Sequence, residues 1–350
     1  MRSLDPLGCL PIPMRHLDEG RFHCQTLATS SFARWPPMTN ASPPASKQMV
    51  ELLDSLTPHE GYNLTALSEV RFLRSNRPLI RTPVLYEPGI VIVVQGRKRG
   101  FLGEDVYLYD AQHYLMVSVP VPFTMETEAS AEEPMLAIYM RLDFTLAAEV
   151  MLALDGRGTG LAAEPRSMMS SPMDDAMSAS VLRFLQVMST PLDADLLGPA
   201  MMREIYYRVL TGAQGHTLRS ALTMQGQFGK VAKALRKLHA EFDAHLDVNA
   251  LAKEAGMSVP TFHSHFKAVT NTSPMQYLKS TRLHQARLLM LRNELTASAA
   301  SARVGYESVS QFSREFKRLF GLTPLNEVAR MRQHFSMPAP LAESAFISSH

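Results

Sequence analysis

Only two cysteines, Cys9 and Cys24, occur among the 350 residues, both near the N-terminus. Two are too few for a disulfide framework, and the pattern suits a reducing, cytoplasmic compartment. No run of eighteen apolar residues is present, so no membrane span is expected. The first twenty residues, MRSLDPLGCLPIPMRHLDEG, lack the uninterrupted apolar stretch of a secretory signal. Histidine is scarce where strands are expected. From Asn63 to Asp143 there is only His113, which cannot build a three-histidine metal cage and reads as structural. His263 and His265 lie two apart on an expected helix, on different faces, and do not form a metal pair. Phosphate-cradling glycine loops are absent, because GRGTG at 156–160 follows no clear strand and reads as a loop. No nucleophile stands beside a positioned base. These absences argue against an enzyme and against any resident cofactor or metal.

What is present is an uneven charge. The formal net charge is only +2. From His216 to Phe335, however, there are 17 Lys+Arg against 8 Asp+Glu, a net +9, leaving 18 against 25 elsewhere, a net −7. A basic unit of this size suits a polyanion, and the acidic remainder does not. With 46% hydrophobic residues, each unit can bury an ordinary core.

The pattern divides the chain into four stretches. Residues 1–47 end in the Pro- and Ser-rich RWPPMTNASPPASK and are expected to be disordered, with Met38 and Met49 as alternative starts. Residues 48–215 open with short alternating or buried runs such as IVIVVQG and HYLMVSV, spaced near ten residues. Six or more strands in a barrel or sandwich are expected there. Such a barrel has room for a small ligand. DFTLAAEVMLAL, MSASVLRFLQVM and LGPAMMREIYYRVLTG then read as helices, stopped at Gly212 and Gly215, that pack on the barrel or pair two subunits. Residues 216–335 read as entirely helical, from a linker helix around QFGKVAKALRKLHAEF onward, and residues 336–350 as a flexible tail. The fold class is α+β: a β-barrel with flanking helices, followed by an all-α domain.

The helical part contains a duplication. Phe262, Phe266, Lys267 and Pro274 recur fifty residues later as Phe312, Phe316, Lys317 and Pro324, while Gly256 recurs at Gly305 after forty-nine. The single-residue slip falls in the turn, where GMS becomes GYES. Each copy has the anatomy of a helix-turn-helix: a first helix stopped by glycine, then Ser258 or Ser308 as a cap, then an i, i+4 phenylalanine pair facing the core. The outward set is Pro260, Thr261, His263, Ser264 and Lys267 in the first copy. In the second it is Ser310, Gln311, Ser313, Arg314, Lys317 and Arg318. Arginine gives two donors to guanine and glutamine pairs with adenine, whereas Lys317 and Arg318 suit phosphates. The first set is poor in donors and is expected to read bases weakly, through apolar contact with thymine methyls. Between the copies, residues 275–292 form an 18-residue helix, about 27 Å long at ~1.5 Å per residue. One turn of B-DNA is ~34 Å. Such a connector can set two recognition helices in successive major grooves of double-stranded DNA.

These residues resemble the AraC/XylS family of bacterial transcription regulators. GYESVSQFSREFKRLFGLTP, Gly305 to Pro324, matches the family signature GYxSxSxFSRxFKRxFGxSP almost throughout, with Thr323 for the serine. The first copy matches in its S-x-x-x-F-x-x-x-F-K pattern, in Ser273-Pro274 and in the following RLHQAR. The resemblance covers roughly residues 228–332. Asn271 replaces the usual glycine, His263 and Ser264 replace a longer polar pair, and Leu325-Asn326-Glu327 lacks an aromatic. VLYEPGIVIVVQGRKRGFLGEDVYLYDAQHYLMVSVPVP is similar to the cupin-like N-terminal domain of a branch whose regulators answer to aldehydes and other small metabolites. The resemblance implies a homodimeric regulator, an activator by family habit, that binds promoter DNA and works with RNA polymerase. Its barrel is expected either to take a small-molecule effector or to serve only as a dimerisation clamp.

Overall fold

The computed structural model describes residues 44–155, 164–223 and 226–334. The expectations for Cys9 and Cys24, most of the N-terminal segment, the GRGTG loop and the C-terminal tail lie outside these residues. Helix α1 (Pro44–Leu56) runs across the boundary expected at residue 47. Met49 and Leu53 on its inner face are buried against the sheet.

Nine short strands fill residues 61–141 and a tenth follows: β1 (Gly61–Leu64), β2 (Val70–Ser75), β3 (Leu79–Tyr86), β4 (Gly89–Gln95), β5 (Arg97–Leu102), β6 (Asp105–Asp110), β7 (His113–Val117), β8 (Val121–Glu128), β9 (Met135–Arg141) and β10 (Met168–Pro172). All pairings are antiparallel, in the order β1-β2-β9-β4-β7-β6-β5-β8-β3, with β10 added on β7. The path ends at β1 on one side and β3 on the other. The expected cupin-like barrel is therefore a curled half-barrel with two edges. His113 takes a structural position, with its Nδ1 3.1 Å from Asp110 Oδ1 across the β6–β7 turn.

β4 is apolar at every position from Ile90 to Val94 because both its faces are covered. Ile90, Ile92 and Val94 meet α1 and the helices α2 (Phe144–Asp155), α3 (Asp175–Met188), α4 (Pro191–Thr211) and α5 (Gly215–Leu222). Val91 and Val93 face the concave side. There the interior is filled by side chains, and Lys98 is fully buried with its Nζ 3.5 Å from the Tyr86 hydroxyl and 3.6 Å from Met125 Sδ. Burial pushes the Lys98 amine far below its ordinary pKa.

The same concave core continues without a break into the helical half, through α6 (Gly226–Ala240), α7 (Val248–Glu254), α8 (Val259–Thr270) and the start of α9 (Pro274–Arg292). A separate core joins the later part of α9 to α10 (Ala297–Arg303) and α11 (Val309–Phe320), with α12 (Pro324–His334) against α9 and α11. Among the described residues, no helix is long and apolar enough to cross a membrane.

The β3 edge is managed at Pro83. Proline has no N–H to offer an incoming strand, and its carbonyl accepts from Arg287 Nη2 of α9 at 3.2 Å. Arg287 and Glu327 of α12 are both essentially buried and pair at 3.2 Å, with Arg330 closing on the same carboxylate at 2.9 Å. A buried charge needs this company, since an unpaired one would cost several kcal/mol or more.

Candidate nucleic-acid interface

The two helix-turn-helix units are α7–α8 and α10–α11. Each begins with a side-chain cap: Asp247 accepts from the Ala250 N–H, and Thr296 from the Ala299 N–H. Gly256 and Gly305 take positive φ, +61° and +82°, in the two turns. Ser258 and Ser308 then cap α8 and α11 by accepting from the N–H of Thr261 and Gln311. These are stabilising ends, worth about 1 kcal/mol each. Phe262, Phe266, Phe312 and Phe316 are completely buried. Asn271 stands in the left-handed region at φ 57° as the C-cap of α8, which explains how it replaces glycine there.

On α8 the whole expected outward set is exposed: Pro260, Thr261, His263, Ser264 and Lys267. Thr261 spends its hydroxyl on Ser258, Oγ to Oγ1 2.8 Å. On α11 the expected set divides. Ser310, Arg314 and Lys317 share an open face, and Arg314 and Lys317 form no ion pair among the described residues. Ser313 is half-buried. Gln311 is exposed but donates to Glu315 Oε1 at 3.3 Å. Glu315 also accepts from Lys279 Nζ of α9 and from the Tyr306 hydroxyl, each at 2.8 Å. Burial opposes the charge on Glu315, but these three donors outweigh it and hold the carboxyl below its ordinary range. Arg318 lies on the same side as Glu315 and lines a cleft against the sheet. The outward face of α11 is thus narrower than helical periodicity alone suggests.

Sequence reasoning missed how α9 fixes the two units. Arg282 spreads its guanidinium over three backbone carbonyls: Nε to Phe242 O at 2.7 Å, Nη2 to Ala244 O at 2.8 Å and Nη1 to Gly305 O at 3.1 Å. The first two belong to the loop between α6 and α7, the third to the turn of the second unit. One side chain therefore ties both units to their connector. Near the N-terminal end of α9, the Tyr277 hydroxyl donates to Pro120 O, in the connection between β7 and β8, at 2.8 Å and lies 2.6 Å from His239 Nε2. Burial lowers His239 to about 3, so its ring is neutral. The only signal in the sequence was the presence of polar residues, Tyr277, Arg282 and Arg287, on the buried side of a connector.

Comparison with known proteins matches both halves. Residues 66–217 fit the family model described as AraC-type transcriptional regulator N-terminus, and residues 251–330 fit a helix-turn-helix domain model. The chain belongs to the AraC/XylS family. Among curated AraC/XylS-type relatives, the transcriptional regulator AlkR of Acinetobacter baylyi is 32% identical over 95 residues, 27% of this chain and 31% of AlkR. The transcriptional activator NphR of a Rhodococcus species is 37% identical over 82 residues, 23% of this chain and 24% of NphR. The aligned segments thus span about a third or less of these relatives' lengths. Among solved structures, a single-substitution variant of apo ToxT from Vibrio cholerae superposes with a TM-score of 0.54 at 9% identity, over 77% of this chain and 99% of that one. At that identity the likeness speaks for the fold alone: a sheet-and-helix N-terminal half followed by helix-turn-helix units.

The two turn glycines test the account of the units. A Cβ on Gly256 meets nothing within 4 Å, whereas one on Gly305 would sit 2.6 Å from the Asp243 carbonyl oxygen and 3.1 Å from Arg282 Nη2. Gly256→Ala should cost only the left-handed backbone penalty, about 1–2 kcal/mol. Gly305→Ala should cost clearly more, because a backbone atom must move. Denaturant unfolding of the two variants measures this, and equal losses would contradict the close approach at Gly305.

Proposed function

We propose that this AraC/XylS chain is a sequence-specific, DNA-binding transcription regulator that works in the cytoplasm, not an enzyme. The observation that carries the reading is a pair of exposed recognition faces, on α8 and α11, in two helix-turn-helix units joined by one buried connector. α9 has 19 residues, about 28 Å at ~1.5 Å per residue. That is close to the ~34 Å between successive major grooves on one side of B-DNA. Residues 216–335, net +9, supply the field that draws the phosphate backbone, and we assign them as the DNA-binding part beside the 48–215 sheet-and-helix part. RNA polymerase is the downstream partner the family implies for an activator.

Within α11, Arg314 is assigned to a base edge and Lys317 to a phosphate, with Ser310 beside them. Gln311 reads bases only if it leaves Glu315, and Arg318 stands toward the sheet. On α8, Lys267 is the phosphate contact, while Pro260, Thr261, His263 and Ser264 present small or weakly polar groups suited to methyl contacts. Arg314→Ala should weaken binding to a selected site by about 1–3 kcal/mol and relax preference at one base position. Lys317→Ala should weaken binding to all sequences and lower the salt slope by about one. Gel-shift titrations over a salt series read both. Unchanged preference after the first substitution, or an unchanged slope after the second, would remove that residue from its role.

For assembly, α4 carries an apolar stripe with Leu192 and Leu196 at 65% and 70% exposure and Tyr207 fifteen residues beyond Leu192, on the same side. The exposed Leu152 of neighbouring α2 adds to the apolar surface nearby. We assign this stripe to a homodimer contact. Light scattering should give a dimer that Leu192→Glu with Leu196→Glu converts to a folded monomer. A wild-type monomer, or a dimer indifferent to both charges, would contradict the assignment. The filled concave interior favours the sheet as a clamp over the sheet as a container. An effector, on this reading, needs a site elsewhere.

A further inference from the structure

The turn of the second helix-turn-helix unit has one residue more than that of the first, and the structure identifies it. Met257 and Tyr306, each directly after the turn glycine, are both half-buried and pack against the core beneath their own unit. The Tyr306 ring stands edge-on to Phe312, with 5.4 Å between centroids, and its hydroxyl donates to Glu315 at 2.8 Å. Ser258 and Ser308 both cap the recognition helix that follows. Glycine, packed residue and cap are thus matched between the copies, and Glu307 is the residue without a counterpart. It is exposed, as are Ser308, Val309, Ser310 and Gln311 after it. The extra residue puts a carboxylate at the tip of α11, ahead of the face that carries Arg314.

Among the acids of the basic half, Glu307 is also the exception. Residues 216–335 hold eight Asp+Glu, and the other seven have a local partner. Glu241, Glu254, Glu294, Glu315 and Glu327 are in ion pairs. Asp247 caps α7, and Asp243 lies within electrostatic reach of Arg282. The Glu307 carboxylate forms no ion pair or hydrogen bond among the described residues. Ser308 already accepts from the Gln311 N–H, so the cap of α11 does not need this acid. An acid just before a helix favours its N-terminal dipole, but the effect is weak and screened at an exposed site. On a surface that approaches phosphates, the same charge repels the duplex over the ~8–10 Å that electrostatics reach at ordinary salt. A hydrogen-bond donor on the DNA is what turns that repulsion into attraction.

The N-terminal residues of a recognition helix are those that reach base edges. A carboxylate only accepts, and the major groove offers it two donors, the N4 amino group of cytosine and the N6 amino group of adenine. Adenine sets its N7 acceptor beside N6, where it opposes the second carboxylate oxygen, whereas cytosine presents the amino group alone. Guanine and thymine present acceptors, O6 with N7 and O4, which repel a carboxylate. We propose that Glu307 is a specificity-determining residue of the second unit, accepting from the N4 amino group of one cytosine in the major groove. The inference rests on the regulator reading and deepens it. From Val309 to Arg314 the helix rises about 7.5 Å at ~1.5 Å per residue, and base pairs stack ~3.4 Å apart. The cytosine therefore lies about two to three base pairs from the base read by Arg314. On any other sequence the carboxylate lowers affinity, so Glu307 selects by rejection as well as by attraction.

Gel-shift titration of the full chain on a site it selects tests this, with each base pair varied in turn and random duplex as a second ligand. The unsubstituted chain should lose about tenfold in affinity when one cytosine, two to three pairs from the Arg314 position, is replaced by any other base. Glu307→Ala should reduce that preference to within about twofold and bind random duplex several-fold more tightly. Thermal melting distinguishes a helix-end role. A lower melting temperature in Glu307→Ala with base preference intact, or a parallel fall in specific and random binding, would overturn the proposal. Its failure is separable from that of the regulator reading: a chain that selects a site and keeps every preference after Glu307→Ala loses only the role of this residue. A chain that selects no site loses the regulator reading and the role of Glu307 with it.

Discussion

Arg282 is the pivot of the helical half. Its five N–H donors are spread in a rigid plane, and three of its nitrogens meet backbone carbonyls of segments far apart in the chain. No lysine could do this with one point charge. Because the two units do not share a core (Phe262 and Phe266 belong to one cluster, Phe312 and Phe316 to another), their mutual orientation has to come from the connector. α9 supplies it by burying twelve of its nineteen residues, which turns a helix into a fixed spacer. Everything proposed about two recognition faces reading one stretch of duplex depends on that spacing being stiff.

The second constraint is the open sheet. A curled half-barrel exposes two edges, and an uncovered edge invites pairing with another chain. At β3 the chain answers with Pro83 and with the docking of α9 and α11. The DNA-reading half is therefore not a pendant module: it closes the sheet, shares the concave core through α6–α9, and leaves a cleft where closure is incomplete. The buried amine of Lys98 occupies the concave side among tyrosines and Met125, so that side is packed rather than hollow.

Local chemistry made much of this legible in advance. The caps Ser258 and Ser308, the glycine turns, the i, i+4 phenylalanine pairs and the helices from α6 to α12 all follow from spacings of a few residues. The two-sided burial of β4 was also visible, as the unbroken run IVIVV. Long-range pairings were not. Whether a row of strands closes or stops at an edge depends on partners such as β2 and β9, some seventy residues apart, and β10 (MMSSP) is too short and polar to announce itself. The same holds at the interface. Helical period placed Gln311 and Arg318 on the outward face with Arg314, and only the position of Glu315 between Lys279 and Tyr306, with the sheet behind Arg318, sets them apart.

The central claim is geometric, and hydroxyl-radical footprinting of the full chain on a sequence it selects from genomic fragments tests it most directly. Two protected patches should appear on one face of the duplex, about one helical turn or ~10 base pairs apart, as two rigidly spaced recognition helices demand. A single patch, two patches on opposite faces, or a spacing that drifts from site to site would contradict it.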